Sequence, residues 1–250
     1  MSQADLSPPS ATVPSKLNLT ISGRCIYDCK FCPVPKLNGE VKEPDEILKL
    51  VEEAKRIGQM RAISLTSGVE KSPEDEVNKA VSIVKALRAL YDLPIGVSVY
   101  PTDTSSEELK QAGATEIKYN VETMDAEIFA KNCPGLSLEY ILKSLEKAVK
   151  IFGKNRVASN FILGLGENDE CVLAGITRPA KMGVIPILRP ISSHPLRKGD
   201  VKVERPSAER LLRLAKATRE VLEDHGLRAD LAETMCLPCT GCDITPHKDI

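Results

Sequence analysis

The sequence contains no tryptophan, and aromatic residues make up only 4% of it. Proteins that grip single-stranded nucleic acid stack bases on exposed rings, so this scarcity argues against such a surface. An excess of one charge is missing too, because 34 Lys and Arg face 35 Asp and Glu for a net charge of -1. Bulk electrostatics give no reason to expect a polyanion as partner. No apolar run approaches the roughly 20 residues that a membrane span needs. The first residues, MSQADLSPPSATVPS, lack the positive start and apolar core of an export signal and read as a flexible Pro/Ser-rich tail, taken to residue 16.

What is present is ordinary globular composition, 42% hydrophobic and 28% charged over 250 residues, enough for one large α/β domain. Eight cysteines would suit disulfides in an exported chain. Thiols clustered in C-x₂-C spacing without an export signal read instead as reduced metal ligands, and a cytoplasmic location is expected. They divide into Cys25, Cys29 and Cys32, then Cys236, Cys239 and Cys242, with Cys133 and Cys171 apart.

Strands are predicted at 17–22, 62–66, 94–100, 115–121, 157–163 and 184–191, although Pro186 weakens the last. Helices are predicted between and after them, at about 44–57, from Ser72-Pro73 through Leu90, then at 105–112, 138–152, 170–182 and 206–225. Six alternating β-then-α units imply a parallel sheet curled into a partial (βα)6 TIM-like barrel, an α/β fold, because eight units are needed to close one. The divisions expected are the tail to 16, the barrel over 17–226 and a cysteine-rich extension over 227–250.

The loop SGRCIYDCKFCP follows the first strand, the end at which such folds gather reactive groups. Three thiolates in C-x₃-C-x₂-C can hold three irons of a [4Fe–4S] cluster and leave the fourth iron open to a ligand. The alternative is a redox or zinc site completed by a distant fourth residue. With Phe31 before the last cysteine, the loop resembles the signature of the radical S-adenosylmethionine (SAM) enzymes.

That resemblance assigns roles to other strand ends. Thr66-Ser67-Gly68 stands where the family receives the methionine amino group, departing from its common Gly-Gly-Glu form. Asn120 and Glu122, alternating onto one side of a strand, suit the ribose hydroxyls and the charged methionine end. Ile162, Gly164 and Glu167 match the adenine-side stretch G-x-I-x-G-x-x-E, while Asn160 departs from it. The glycines would let backbone approach a flat ligand, and Glu167 would start a helix where an acid suits the dipole. His194 and Arg189 stand where the family's matching residues border the substrate or the auxiliary cluster, and a fork from Arg189 onto the SAM carboxylate is an equal alternative. His225 reads as a helix C-terminal dipole partner.

In order, NVET at 120–123, Pro134-Gly135, GLGE at 164–167 and RPxxxHP at 189–195 resemble lipoyl synthases more than biotin synthase. The branch implied inserts sulfur into a protein-bound octanoyl chain, with a second, sacrificed [4Fe–4S] cluster as source. Its familiar N-terminal cysteine triplet is absent here, since no cysteine precedes Cys25. Cys236, Cys239 and Cys242 would rebuild that cluster from the other end of the chain, across the barrel mouth, an arrangement similar to the two-protein archaeal lipoyl synthases. A zinc site of the same cysteines with His247 is the competing reading. Cys133 would serve as a fourth ligand or sulfur relay there, or simply pack, as Cys171 is expected to. Expected partners are an octanoylated lipoyl-carrier protein or peptide, a paralogous radical SAM protein, and an electron donor such as ferredoxin or flavodoxin. Other expectations kept open are a different radical SAM reaction, with the second cluster relaying electrons, and a non-catalytic Fe–S or zinc protein.

Overall fold

In the computed structural model the described residues are 16–239, 241 and 243–250, so the tail over 1–15 and Cys242 lie outside them. Six strands, β1 (Lys16–Thr20), β2 (Ala62–Thr66), β3 (Ile95–Ser98), β4 (Glu116–Lys118), β5 (Val157–Leu163) and β6 (Ile185–Pro190), form one parallel sheet in sequence order. Between and after them run α1 (Val34–Leu37), α2 (Pro44–Ile57), α3 (Pro73–Leu90), α4 (Ser105–Ala112), α5 (Ala126–Asn132), α6 (Leu138–Phe152), α7 (Asp169–Met182), α8 (Ala208–Asp224) and α9 (Pro246–Asp249). This is the partial (βα)6 barrel, with β1 and β6 as open edges. No helix among the described residues is long and apolar enough to cross a membrane.

Local chemistry sets the elements. Pro44 opens α2 beneath a Glu43–Glu46 capping box, and Ser72 caps α3 by accepting from the Asp75 amide at 3.1 Å. The outward strand positions, such as Ile63, Leu65, Val97 and Ile117, are buried against the helices with Val84, Leu87 and Leu145. Pro186 is accommodated because β6 is an edge strand. The short helices α1 and α5 carry too little periodicity to show in the sequence.

The inner face is of another character. Alternation and register place Asn18, Ser64, Gly96, Glu116, Lys118, Asn160 and Arg189 there, a mostly polar wall. The tail expected across the mouth instead runs along this wall from its amino-terminal end. Glu116, the first residue of β4, accepts from the Glu233 and Thr234 amides at 2.8 Å each and from the Thr234 hydroxyl. Ser64 accepts from the Met235 amide at 2.8 Å, and Leu237 packs with Ala158, Ile185 and Ile187. Ile244 then bridges antiparallel to Leu188 on the edge strand.

Gly96 makes this course possible, since a Cβ there would run into the Thr234 side chain and the Met235 methyl. Gly96→Ala is expected to cost about 1–3 kcal/mol by overpacking and to free residues 233–239. Faster proteolysis in that segment, against unchanged cleavage elsewhere, is the measurement.

Candidate active site

The cysteine loop follows β1 at the carboxyl end of the sheet. Its course is set by backbone bonds to neighbouring loops: Ile26 N–H to Val69 carbonyl at 2.7 Å, and Lys30 N–H to Asn132 carbonyl at 2.8 Å. The Val69 amide donates to Cys25 Sγ at 3.5 Å. Burial pushes the thiols of Cys25 and Cys32 up, Cys32 to about 11, so uptake of metal there must release protons. Phe31 is partly buried and packs with Ile162, Leu165 and Ile191.

The turn after β2 supports the loop more than it faces a ligand. Ser67 Oγ accepts from the Ser22 amide at 3.0 Å and donates to the buried Glu76 carboxylate. Gly68 lies so close to the loop that a Cβ would collide with the Arg24 carbonyl and press on Cys25. The Ser67 hydroxyl is thus already engaged, and Thr66, exposed at the strand end, is the group left open.

Asn120 and Glu122 are brought together, though not by strand alternation. Glu122 has φ +59°, left-handed for a non-glycine residue, and rejoins β5 through its amide to Asn160 carbonyl at 2.9 Å. The Asn120 side chain hydrogen-bonds the Glu122 carboxyl. Burial drives that carboxyl up to about 7, opposed by the positive charges of Lys118 and Arg189.

Three expectations change. Glu167 does not start α7, which begins at Asp169; it folds back and accepts from the Gly164 and Leu165 amides at 2.8 Å each. Gly164, at φ +106°, is required because a Cβ would meet the Glu204 backbone carbonyl, so the glycine admits the close approach of a neighbouring loop. His194 Nδ1 accepts from the Leu196 amide at 3.2 Å and caps a turn.

The other cysteines separate clearly. Cys133, buried, hydrogen-bonds Cys29 and joins the first triplet, not the tail. Cys171 is half-buried on α7. Cys236 Sγ sits 3.8 Å from Lys118 Nζ on the inner wall, while Arg189 pairs with Asp243 of the tail at 3.4 Å. Cys239 is half-buried one turn on, its amide bonded to the Cys236 carbonyl at 2.9 Å. His247 turns away from them, with Nδ1 on the Ala229 amide and Nε2 3.6 Å from Glu223. Among the described residues, no three His, Cys, Asp or Glu side chains converge on a single-ion site. His225 Nδ1 bonds its own helix at the Val221 carbonyl. Sequence reasoning missed Arg197, whose Nε donates to the Cys32 carbonyl at 2.5 Å; the HPLR run around His194 was the available signal.

A model of the radical SAM superfamily matches residues 19–174. The chain belongs to the radical SAM superfamily. Among curated relatives, a probable GTP 3′,8-cyclase of Pyrococcus abyssi is 29% identical over 62% of this chain and 50% of its own length. A biotin synthase of a Hydrogenobaculum strain is 30% identical over 70% and 55%. The chain thus spans about half the length of the curated relatives it matches. Of solved structures, methylornithine synthase superposes with a TM-score of 0.67 at 17% identity, covering 95% of this chain and 76% of that one. The hydrogenase maturase HydG of Carboxydothermus hydrogenoformans gives 0.69 at 18% identity, covering 84% and 52%. At such identities these likenesses show the fold.

Membership in the radical SAM superfamily implies a [4Fe–4S] cluster and SAM. The loop fits a cluster on two observations: three clustered thiols and an amide already aimed at Cys25 Sγ. The raised Glu122 value has a testable sign. Its folded value lies above the unfolded one, so its contribution to stability is full below about pH 4 and is lost as pH rises through about 7. Iron-free Glu122→Gln is therefore expected to lose part of the fall in Tm that the parent chain shows between pH 5 and 8. Parallel melting curves against pH check this.

Proposed function

We propose that this chain is a radical SAM sulfurtransferase that inserts sulfur into a protein-bound octanoyl chain. In this reading Cys236, Cys239 and Cys242 hold an auxiliary [4Fe–4S] cluster as sulfur source. The observation that carries it is the position of Cys236, a tail cysteine brought onto the inner wall beside Lys118 and facing the same interior as Glu122 and Arg189. Burial pushes the Cys236 thiol up, and the neighbouring ammonium of Lys118 favours its thiolate, the form that binds iron.

Cys25, Cys29 and Cys32 would hold the cluster at which SAM binds. Together, a reduced cluster and SAM supply a hydrogen-abstracting adenosyl radical. The chain's own part is placement. Asn120 and Glu122 present an amide and a carboxyl to the ribose and the methionine ammonium, with Thr66 open at the neighbouring strand end. Ile162 and the Gly164 turn border the adenine, the turn held rigid by Glu167. Ser67 and Gly68 act one step back, by holding the cysteine loop. Arg189, paired with Asp243, ties the tail to the rim of this site. An octanoylated lipoyl-carrier domain as substrate, a ferredoxin- or flavodoxin-like donor and a paralogous partner complete the reading.

A second reading is favoured by the inner wall itself. Asn18, Lys118 and Asn160 suit a polar small molecule better than an aliphatic chain. In that case the auxiliary cluster would relay electrons.

The deciding experiment incubates reconstituted, reduced protein with SAM and an octanoyl-lysyl lipoyl-domain peptide, with mass spectrometry of the peptide. Addition of one or two sulfurs is expected, and Cys236→Ala should abolish it while 5′-deoxyadenosine still forms. Formation of 5′-deoxyadenosine with no thiolated peptide, even with the paralogue added, would favour the polar-substrate reading.

A further inference from the structure

The turn Pro195–Arg197, which follows β6, reaches the cysteine loop that follows β1, so the loops of the two open edges meet. The contact is made by one guanidinium whose side chain is only 2% exposed. Arg197 Nε donates to the Cys32 carbonyl at 2.5 Å, and Nη1 meets Asp28 at 2.6 Å and Asp200 at 3.0 Å. Lys30 takes the other oxygen of Asp28 at 2.6 Å, and Lys36 of α1 takes Asp200 at 2.5 Å. The charges alternate along the row Lys30, Asp28, Arg197, Asp200, Lys36, three positive and two negative. Nη2 is buried and has no hydrogen-bond partner among the described residues.

The outer members of this row are partly exposed, and such pairs contribute little by themselves. The centre differs, because a buried fork fixes direction as well as charge. It spans from Asp28, next to Cys29, to the carbonyl of Cys32, so it grips the loop at both ends of its second half.

We propose that Arg197 is the positioning residue of the cysteine loop. Its fork sets the backbone from Asp28 to Cys32, and its charge favours the reduced state of a cluster held there. The physical reason for the second part is that an added electron makes the cluster and its thiolates more negative, and a nearby buried cation offsets that. This inference rests on the reading of Cys25, Cys29 and Cys32 as cluster ligands.

Two variants separate fork from charge. Arg197→Lys keeps the charge and loses the fork, while Arg197→Met keeps the apolar stem and loses both. In an EPR-monitored redox titration of reconstituted protein, Arg197→Met is expected to lower the ratio of reduced to oxidised cluster about tenfold at fixed potential, a shift of about 59 mV. Arg197→Lys should leave the midpoint near the parent value. In the iron-free chain, both variants should speed amide hydrogen exchange over residues 28–34 about tenfold. Should Arg197→Met fail to fold, Asp200→Asn replaces it in the titration, with the midpoint expected to rise as a negative charge is removed. An unchanged midpoint together with unchanged exchange overturns the proposal. A parent protein that forms no cluster on the triplet overturns the ligand reading instead, and exchange in the iron-free chain then decides the positioning role.

Discussion

Glu116 brings a carboxyl group to the inner face of the barrel and is almost wholly buried there. Two backbone amides and a hydroxyl from residues 233 and 234 answer it, along with Arg156 at 2.9 Å. A carboxyl group so placed is tolerable because its oxygens are saturated, and leaving such a buried group without partners costs about 1–3 kcal/mol. The saturation comes almost entirely from the tail, so the tail is obliged to enter the barrel at this point. Everything after it follows: Met235 on Ser64, Leu237 among the inner aliphatics, Cys236 beside Lys118 and Ile244 on the edge strand. A sheet of six strands leaves an open wall, and this chain covers part of it with its own end.

The opposite, carboxyl end of the sheet is organised by loops that hold other loops. Gly68 presses on Cys25, Asn132 bonds Lys30, Cys133 bonds Cys29, and Arg197 bonds Cys32. Each cysteine of the triplet therefore has a neighbour on a different crossover. Glu122 lies below it in a left-handed backbone conformation, with a carboxyl that burial brings to about 7 and two cations nearby. The proposed SAM contact at Glu122 rests on this strain and raised carboxyl.

Much of this was legible in the chain. The helices at 44–57, 105–112 and 138–152 and the strands at 62–66 and 157–163 stand where periodicity and capping residues put them. The cysteine loop was legible because its spacing is chemistry in itself. What could not be read were the roles of side chains whose partners are distant in sequence. Glu167 looked like a helix-start acid and is a turn clamp; Ser67 looked like a ligand contact and is bonded to Glu76. Arg197 gave only the weak signal of the HPLR run, because its partners in the cysteine loop, Asp28 and Cys32, lie more than 160 residues away.

The sequence by itself determined the strand–helix alternation, the half-closed parallel sheet and the position of a thiol triplet at its carboxyl end, since these depend on local propensity, period and connection rules. Only the tertiary structure decided that Cys133 belongs with Cys29, that the tail runs inside the barrel and not across its mouth, and that one guanidinium joins the two open edges. Those outcomes depend on which buried charges must be answered, and that is settled only when distant segments meet.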